Sequence, residues 1–364
     1  MEILMYDQSK LSELIRFAGV DAGSTVIDVY PLERSLSATN LRSQTIKGYM
    51  MRASWIAFMA ATTLATSAPA MAQDSSSTQT VSQAKTGVWT YPGTGTVNTY
   101  WIETPGGGLV VIDVQRDLVH AAQALAAVKA VGKPVRAILI THAHPDHYTG
   151  LGLFRQAFPG VPVYSSKATA DAIRNDTYGA NAGEQADAPD ITPREFVVPG
   201  ITFDGDTTLQ IDGLTIVARE LGAGEAPATT AYYLPSTREL FPGDAVLNRL
   251  HGPLREAHTG PWLGVLDRIE AMYPNVTIVH PGHGASGPKE PMFDDERPYL
   301  RTCRAIAAEE IARGGFTDAA KAETVRRINA RFPYTNPTGI KDIVGDSVEG
   351  LFREFSQPSS TPLP

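Results

Sequence analysis

Four metal-competent side chains fall within six residues at His142-Ala143-His144-Pro145-Asp146-His147, directly after the apolar run Val135-Arg136-Ala137-Ile138-Leu139-Ile140. The run is aliphatic and partly β-branched and too short for an ordinary helix, so it reads as a buried strand. Pro145 stops a helix from covering the whole motif, which leaves the ligands on a loop at the strand's end. Imidazole and carboxylate together suit Zn²⁺ or another borderline divalent ion. Crowding them onto one tight loop without a cation would leave desolvation and mutual repulsion unopposed.

The remaining chain bounds what such a site can serve. A chain of 364 residues with 43% hydrophobic content buries a sizeable core. A net charge of -8 without a Lys/Arg cluster argues against nucleic acid or an anionic membrane surface and leaves a small-molecule substrate as the expected partner. The single cysteine, Cys303, excludes an intrachain disulfide and a zinc ribbon, and is expected to pack within a helix.

Residues 51–72 have the layout of a secretory signal peptide: a basic residue, an apolar stretch and the small-residue site Ala70-Met71-Ala72. Thr62, Thr63, Thr66, Ser67 and Pro69 interrupt the run, so a membrane span, which takes about 20 apolar residues, is the poorer reading. Residues 1–50 then read as an extension upstream of a natural start at Met50 or Met51. The mature chain is expected to begin near Gln73, in the periplasm or outside the cell and free of stable membrane association. A Ser/Thr/Gln-rich lead-in occupies 73–87.

From Val88 the pattern alternates between strands and helices. Strands are expected at Val97–Glu103 and Leu109–Val114, a helix carrying a structural His120 at Leu118–Val131, then helices at Gly150–Phe158 and Ala168–Asn175 around a strand at Val161–Tyr164. A mobile loop is expected at Asp176–Pro193, and further strands to Pro235 with hairpin turns at Asp204-Gly205-Asp206 and Asp212-Gly213. This alternation points to an α/β layered domain over 88–290. Helices near Leu300–Arg313 and Thr317–Arg331 belong to a C-terminal extension, 291–356, followed by a Ser/Pro-rich disordered tail, 357–364. Two more strand ends carry ligand candidates: Asp244 after Leu240-Phe241-Pro242-Gly243, and His283 in His280-Pro281-Gly282-His283-Gly284.

With its His-x-His-x-Asp-His motif at 142–147, and with Asp244 and His283, the chain resembles the metallo-β-lactamase fold superfamily over roughly Val88 to Gly284. The resemblance implies a four-layer αββα sandwich with a C-terminal helical extension, and a site for two divalent ions, Zn²⁺ first, with Mn²⁺ or Fe²⁺ as alternatives. It assigns His142 and His144 to the first metal, Asp146 and His147 to the second, Asp244 as the bridge and His283 as the last ligand of the second. The family's third histidine for the first metal comes from a Gly-x-Gly-His-Thr turn. Here that turn is Gly222-Ala223-Gly224-Glu225-Ala226, so Glu225 is expected to ligate instead, giving a harder, more anionic site.

Asp146, Tyr148 and His251 are the candidates for catalytic roles: Tyr148 as a donor to a developing oxyanion, and His251 as a substrate-orienting residue or a replacement for the missing imidazole. The implied activity is hydrolysis of an ester, lactone, thioester or lactam bond. A mono-iron oxidoreductase of the sulfur dioxygenase type, and a metal-binding protein without turnover, are the alternatives.

Overall fold

The computed structural model describes residues 85–90, 97–177, 179–334 and 342–357; the signal-peptide segment, most of the lead-in and all but the first residue of the tail lie outside them. The first sheet runs in chain order: β1 (Thr86–Trp89), β2 (Thr99–Glu103), β3 (Leu109–Ile112), β4 (Val135–Leu139), β5 (Val163–Ser166) and β6 (Ile201–Phe203). It is antiparallel as far as β3 and parallel from β3 to β6. The second sheet contains β7 (Thr207–Ile211), β8 (Leu214–Glu220), β9 (Thr230–Leu234), β10 (Glu239–Phe241), β11 (Ile278–Val279) and β12 (Gly287–Pro288), also neighbours in sequence order.

The run Leu109-Val110-Val111-Ile112 shows why two sheets stack here. Its side chains alternate faces, and all four are buried. Val110 and Ile112 join Ala137 and Leu139 against Ile216, Ala218, Tyr232 and Phe241 of the opposite sheet. Leu109 and Val111 face outward, beneath α1 (Leu118–Ala130) and α3 (Leu151–Ala157). On the far side, Ala231 and Leu240 pack under α6 (Thr259–Met272) and α7 (Lys289–Gly314). A strand buried on both faces has to be continuously apolar, and the layers are therefore αββα.

Parallel pairing of β3 with β4 needs a crossover, and α1 supplies it. Asp117 caps that helix by accepting from the Val119 and His120 N–H groups, and Gly132 follows its end with φ +72°. His120 Nδ1 meets the Asp117 carboxylate at 2.6 Å, a structural use of this histidine. Cys303 lies buried in α7.

Three local expectations change. Asp212-Gly213 does turn a hairpin, with φ of 50° and 81° joining β7 to β8, but Asp204-Gly205-Asp206 does not. That turn carries the chain from the edge of one sheet to the edge of the other, since β6 pairs with β5 and β7 with β8. The helix expected at Ala168–Asn175 is α4 (Lys167–Asn175), and the expected loop at Asp176–Pro193 contains another, α5 (Ala180–Asp187). Its sequence shows little apolar periodicity; the Asp176 carboxylate holds its start by accepting from the Asn181 and Ala182 N–H groups at 2.8 and 3.1 Å.

In the C-terminal extension α7 runs straight through Pro298 and so begins well before Leu300. An interior proline costs about 3 kcal/mol, which complete burial of Phe293, Tyr299 and Leu300 offsets at roughly 1.5–3 kcal/mol each. Beyond it come α8 (Asp318–Arg331) and α9 (Ile343–Ser356). No helix among the described residues is long and apolar enough to cross a membrane.

Candidate metal centre

The ligand candidates reach one edge of the sandwich because each follows a strand of a sheet whose register is fixed. β4 ends at Leu139, two residues before Thr141, and the histidine motif continues into the single-turn helix α2 (Pro145–Tyr148). Glu225 lies in the turn between β8 and β9, Asp244 in one turn of 3-10 helix after β10, and His283 after β11. Backbone bonds tie these segments together: Thr230 N–H to Thr141 O at 2.8 Å, Gly282 N–H to Gly243 O at 3.0 Å, and Asn98 N–H to Gly282 O at 2.7 Å. Gly282 is required by close approach, since a Cβ there would stand 1.9 Å from Asp244 Oδ1 and 2.9 Å from His147 Cε1.

Two groups of donor atoms result, with Asp244 beside both. In the first, His142 Nε2 lies 3.2 Å from His144 Nδ1, and the Glu225 carboxylate stands 3.7 Å from the former and 3.2 Å from the latter. In the second, His283 Nε2 is 3.2 Å and His147 Nε2 4.0 Å from the Asp146 carboxylate. Asp244 Oδ2 is 3.5 Å from His147 Nε2 and 3.2 Å from His283 Nε2, and Asp244 also groups with His142 and His147. Within each group the ligand atoms lie within 4.8 Å of one another.

The donor set fits a divalent cation. Both Glu225 oxygens, Asp244 Oδ1 and His147 Nε2 are buried without a hydrogen-bond partner among the described residues. Burying a charged group unsatisfied costs several kcal/mol, and here the orphaned atoms all point at the shared space. Electrostatics show the same tension. Burial, then Glu225's neighbour His144, act in opposite directions on Glu225 and leave its carboxyl above the usual range, while burial and the charge of His147 hold His142 well below an ordinary imidazole. Burial also lowers His147, but Asp244 and Asp113 outweigh it and push the imidazole up to about 10.

Two supporting carboxylates were not expected from the sequence. Asp113, at the end of β3 with φ 55°, accepts from Thr141 N–H and Oγ1–H at 2.9 and 2.8 Å and from His147 Nδ1 at 2.8 Å. With its Nδ1 proton donated outward to Asp113, His147 would offer Nε2 to a cation in the cluster. Glu256 Oε1 lies 3.4 Å from His144 Nε2 and serves that ring in the same way. The signal for Asp113 was available: an acid directly ending a strand, as at Asp244. Glu256 sits in a loop and carried no comparable signal.

Two proposed catalytic side chains are placed elsewhere. The Tyr148 hydroxyl donates to Asn181 Oδ1 beside α5, and its ring packs edge-on against Phe196 at 5.8 Å, so it does not serve as an oxyanion donor. Tyr148→Phe is expected to leave metal content and kcat within about twofold and to lower stability by about 1 kcal/mol; assay and thermal melts check this. His251 is buried among C-terminal aromatics, with Nδ1 3.3 Å from the Tyr299 hydroxyl and its ring 5.8 Å from Tyr334. The loop bearing it folds back on α7, so His251 neither replaces the missing imidazole nor orients substrate. Asp146 differs: its side chain is 22% exposed, which puts it at the open side of the cluster.

A family model described as "Metallo-beta-lactamase superfamily" matches residues 92–283, the span that holds both sheets' ligand-bearing strands. The chain belongs to this superfamily. The metallo-beta-lactamase type 2 of Bacteroides fragilis is 26% identical over 202 residues, covering 52% of this chain and 73% of that protein. The hydroxyacylglutathione hydrolase of Rhodobacter capsulatus is 29% identical over 184 residues, covering 50% of this chain and 60% of that one. A solved structure of a sec-alkyl sulfatase superposes with a TM-score of 0.53 at 16% identity, covering 71% of this chain and 47% of that one, and shows the fold alone. Within the superfamily this chain is a metal-dependent hydrolase, and its metal candidates are the residues grouped above.

Proposed function

We propose that the chain is an exported hydrolase that holds two divalent ions, zinc foremost, and cleaves an ester, lactone, thioester or lactam bond of a small molecule. The observation that supports it most is the set of buried atoms on Glu225, Asp244 and His147 that lack a hydrogen-bond partner among the described residues and converge with three further histidines and Asp146. When bound, such ions supply Lewis acidity, which activates water at neutral pH and polarises a scissile carbonyl.

The chain's own residues divide the remaining work. His142, His144 and Glu225 would hold the first ion and Asp146, His147 and His283 the second, with Asp244 beside both groups. Asp113 and Glu256 fix the rings of His147 and His144, so the donor atoms do not reorganise during the reaction. Burial raises Asp146, but His147 and His283 outweigh it and keep it ionised. At the open side of the cluster that carboxylate accepts a hydrogen bond from entering water and orients it.

Metal analysis of the mature protein, with a panel of ester, lactone, thioester and lactam substrates, tests the reading. About two ions per chain and turnover of at least one class are expected. Glu225→Ala should leave about one ion, and Glu225→His should restore two and favour zinc, because imidazole is the softer ligand. Undiminished metal content in Glu225→Ala would remove Glu225 from the ligand set. Sequencing of exported material should give a start near Gln73.

A further inference from the structure

A cleft of about 310 Å³ opens beside the first ligand group, with His144 in its wall. Ala143, Ala168, Ala172, Ala226, Pro227 and Ala228 give it a lining of methyl and ring carbons. Its polar members Thr169, Asn175 and Thr177 are uncharged, and its titratable members are His144 of the first ligand group and Asp171, which is paired with Lys167 and Arg174. No Lys or Arg lines it among the described residues. Around the centre itself stand five carboxylates, Asp113, Asp146, Glu225, Asp244 and Glu256, each facing histidine. Two divalent ions bring four positive charges against these five, so the loaded centre has no surplus positive charge with which to attract an anion.

We propose that this cleft is the acyl pocket and that it selects a short, neutral aliphatic acyl group, rejecting substrates that carry an anion on the acyl side. The inference rests on the hydrolase reading and adds the substrate class. In the reaction the acyl carbon–oxygen bond to the leaving group breaks, a new one forms to the oxygen of water, and a proton from that water ends on the leaving alkoxide. The acyl chain stays in the cleft throughout. Shape and polarity decide the choice there, since a carboxylate placed among alanine methyls loses its hydration and finds no Lys or Arg lining the cleft in return.

The test uses the full mature chain loaded with zinc and three esters sharing one leaving group: p-nitrophenyl acetate, butyrate and hydrogen succinate. We expect kcat/KM for butyrate to exceed that for hydrogen succinate by about thirtyfold or more. Ala172→Leu, which fills the cleft, should shift selectivity from butyrate towards acetate by about tenfold, and Ala172→Lys should shift it towards hydrogen succinate. Metal content, measured on each variant, separates loss of the pocket from loss of the centre. Equal use of butyrate and hydrogen succinate, or unchanged selectivity in a folded, metal-loaded Ala172→Leu, would overturn the assignment. If the loaded protein turns over no ester, lactone, thioester or lactam, the hydrolase reading has failed, and calorimetry still reads the pocket: butyrate should bind more tightly than succinate, and the reverse order would overturn the proposal.

Discussion

Asp244→Ala is expected to lose most of its bound metal and to lower kcat/KM by roughly a thousandfold, the equivalent of about 4 kcal/mol. The size follows from its position. Its Oδ2 faces His147 and His283 at 3.5 and 3.2 Å, and its Oδ1 is buried without a hydrogen-bond partner among the described residues. Burial alone would raise this carboxyl, yet the charges of His283 and His147 hold it well below the usual range. Removing it takes negative charge from the point between the two donor groups and leaves a gap lined by imidazoles. His120→Ala is the matched comparison, since that histidine meets the Asp117 cap in α1 and belongs to neither group of donor atoms, and it should retain metal and activity. Metal content by elemental analysis and kcat/KM on the best substrate decide the matter. Full metal and full activity in Asp244→Ala would refute the shared centre.

Much of this centre was legible because strand ends are conspicuous in sequence. An apolar run followed by His, Asp or a Pro-Gly-His turn marks a ligand candidate at a sheet edge; His142, Asp244 and His283 were all picked out in that way, and the structure gathers them at one cluster. An α/β layered domain was readable from the alternation of strands and helices, whereas the two-sheet αββα arrangement came from the resemblance that the ligand motif carries. What escaped depends on distant partners. Tyr148 follows the motif directly, but its direction is set by Asn181 on a helix that the local pattern did not reveal. His251 looked like part of an overhanging loop, and only the packing of Tyr299 and Tyr334 shows it turned away. Pro298 would ordinarily end a helix, and tertiary burial overrides it.

The C-terminal extension also touches the centre's support, through Glu296 on α7. Its Oε2 accepts from the Leu247 N–H at 3.3 Å, three residues beyond Asp244, while Oε1 is buried without a partner among the described residues. Burial, with smaller contributions from Asp244, Asp295 and Glu225, pushes this carboxyl up to about 8. An acid whose folded value lies above its unfolded value of 4.5 keeps a proton on folding that the unfolded chain has released. Stability from this group is therefore complete below about pH 4.5 and declines until about pH 8, by about 5 kcal/mol at most, at about 1.4 kcal/mol per pH unit.

Glu296→Gln removes that ionisation while its carbonyl oxygen remains available to the Leu247 N–H. In metal-free protein the variant should match the parent within about 1 kcal/mol at pH 5. At pH 8.5 it should melt higher by roughly 5 °C or more, taking about 2–4 °C per kcal/mol. Loading the centre with zinc should shrink the difference, because added positive charge near Asp244 and Glu225 eases ionisation of Glu296. Thermal melts of both proteins at the two pH values, with and without zinc, measure each part separately. A variant whose advantage fails to grow between pH 5 and pH 8.5 would mean that Glu296 has found a partner or water that this packing does not provide.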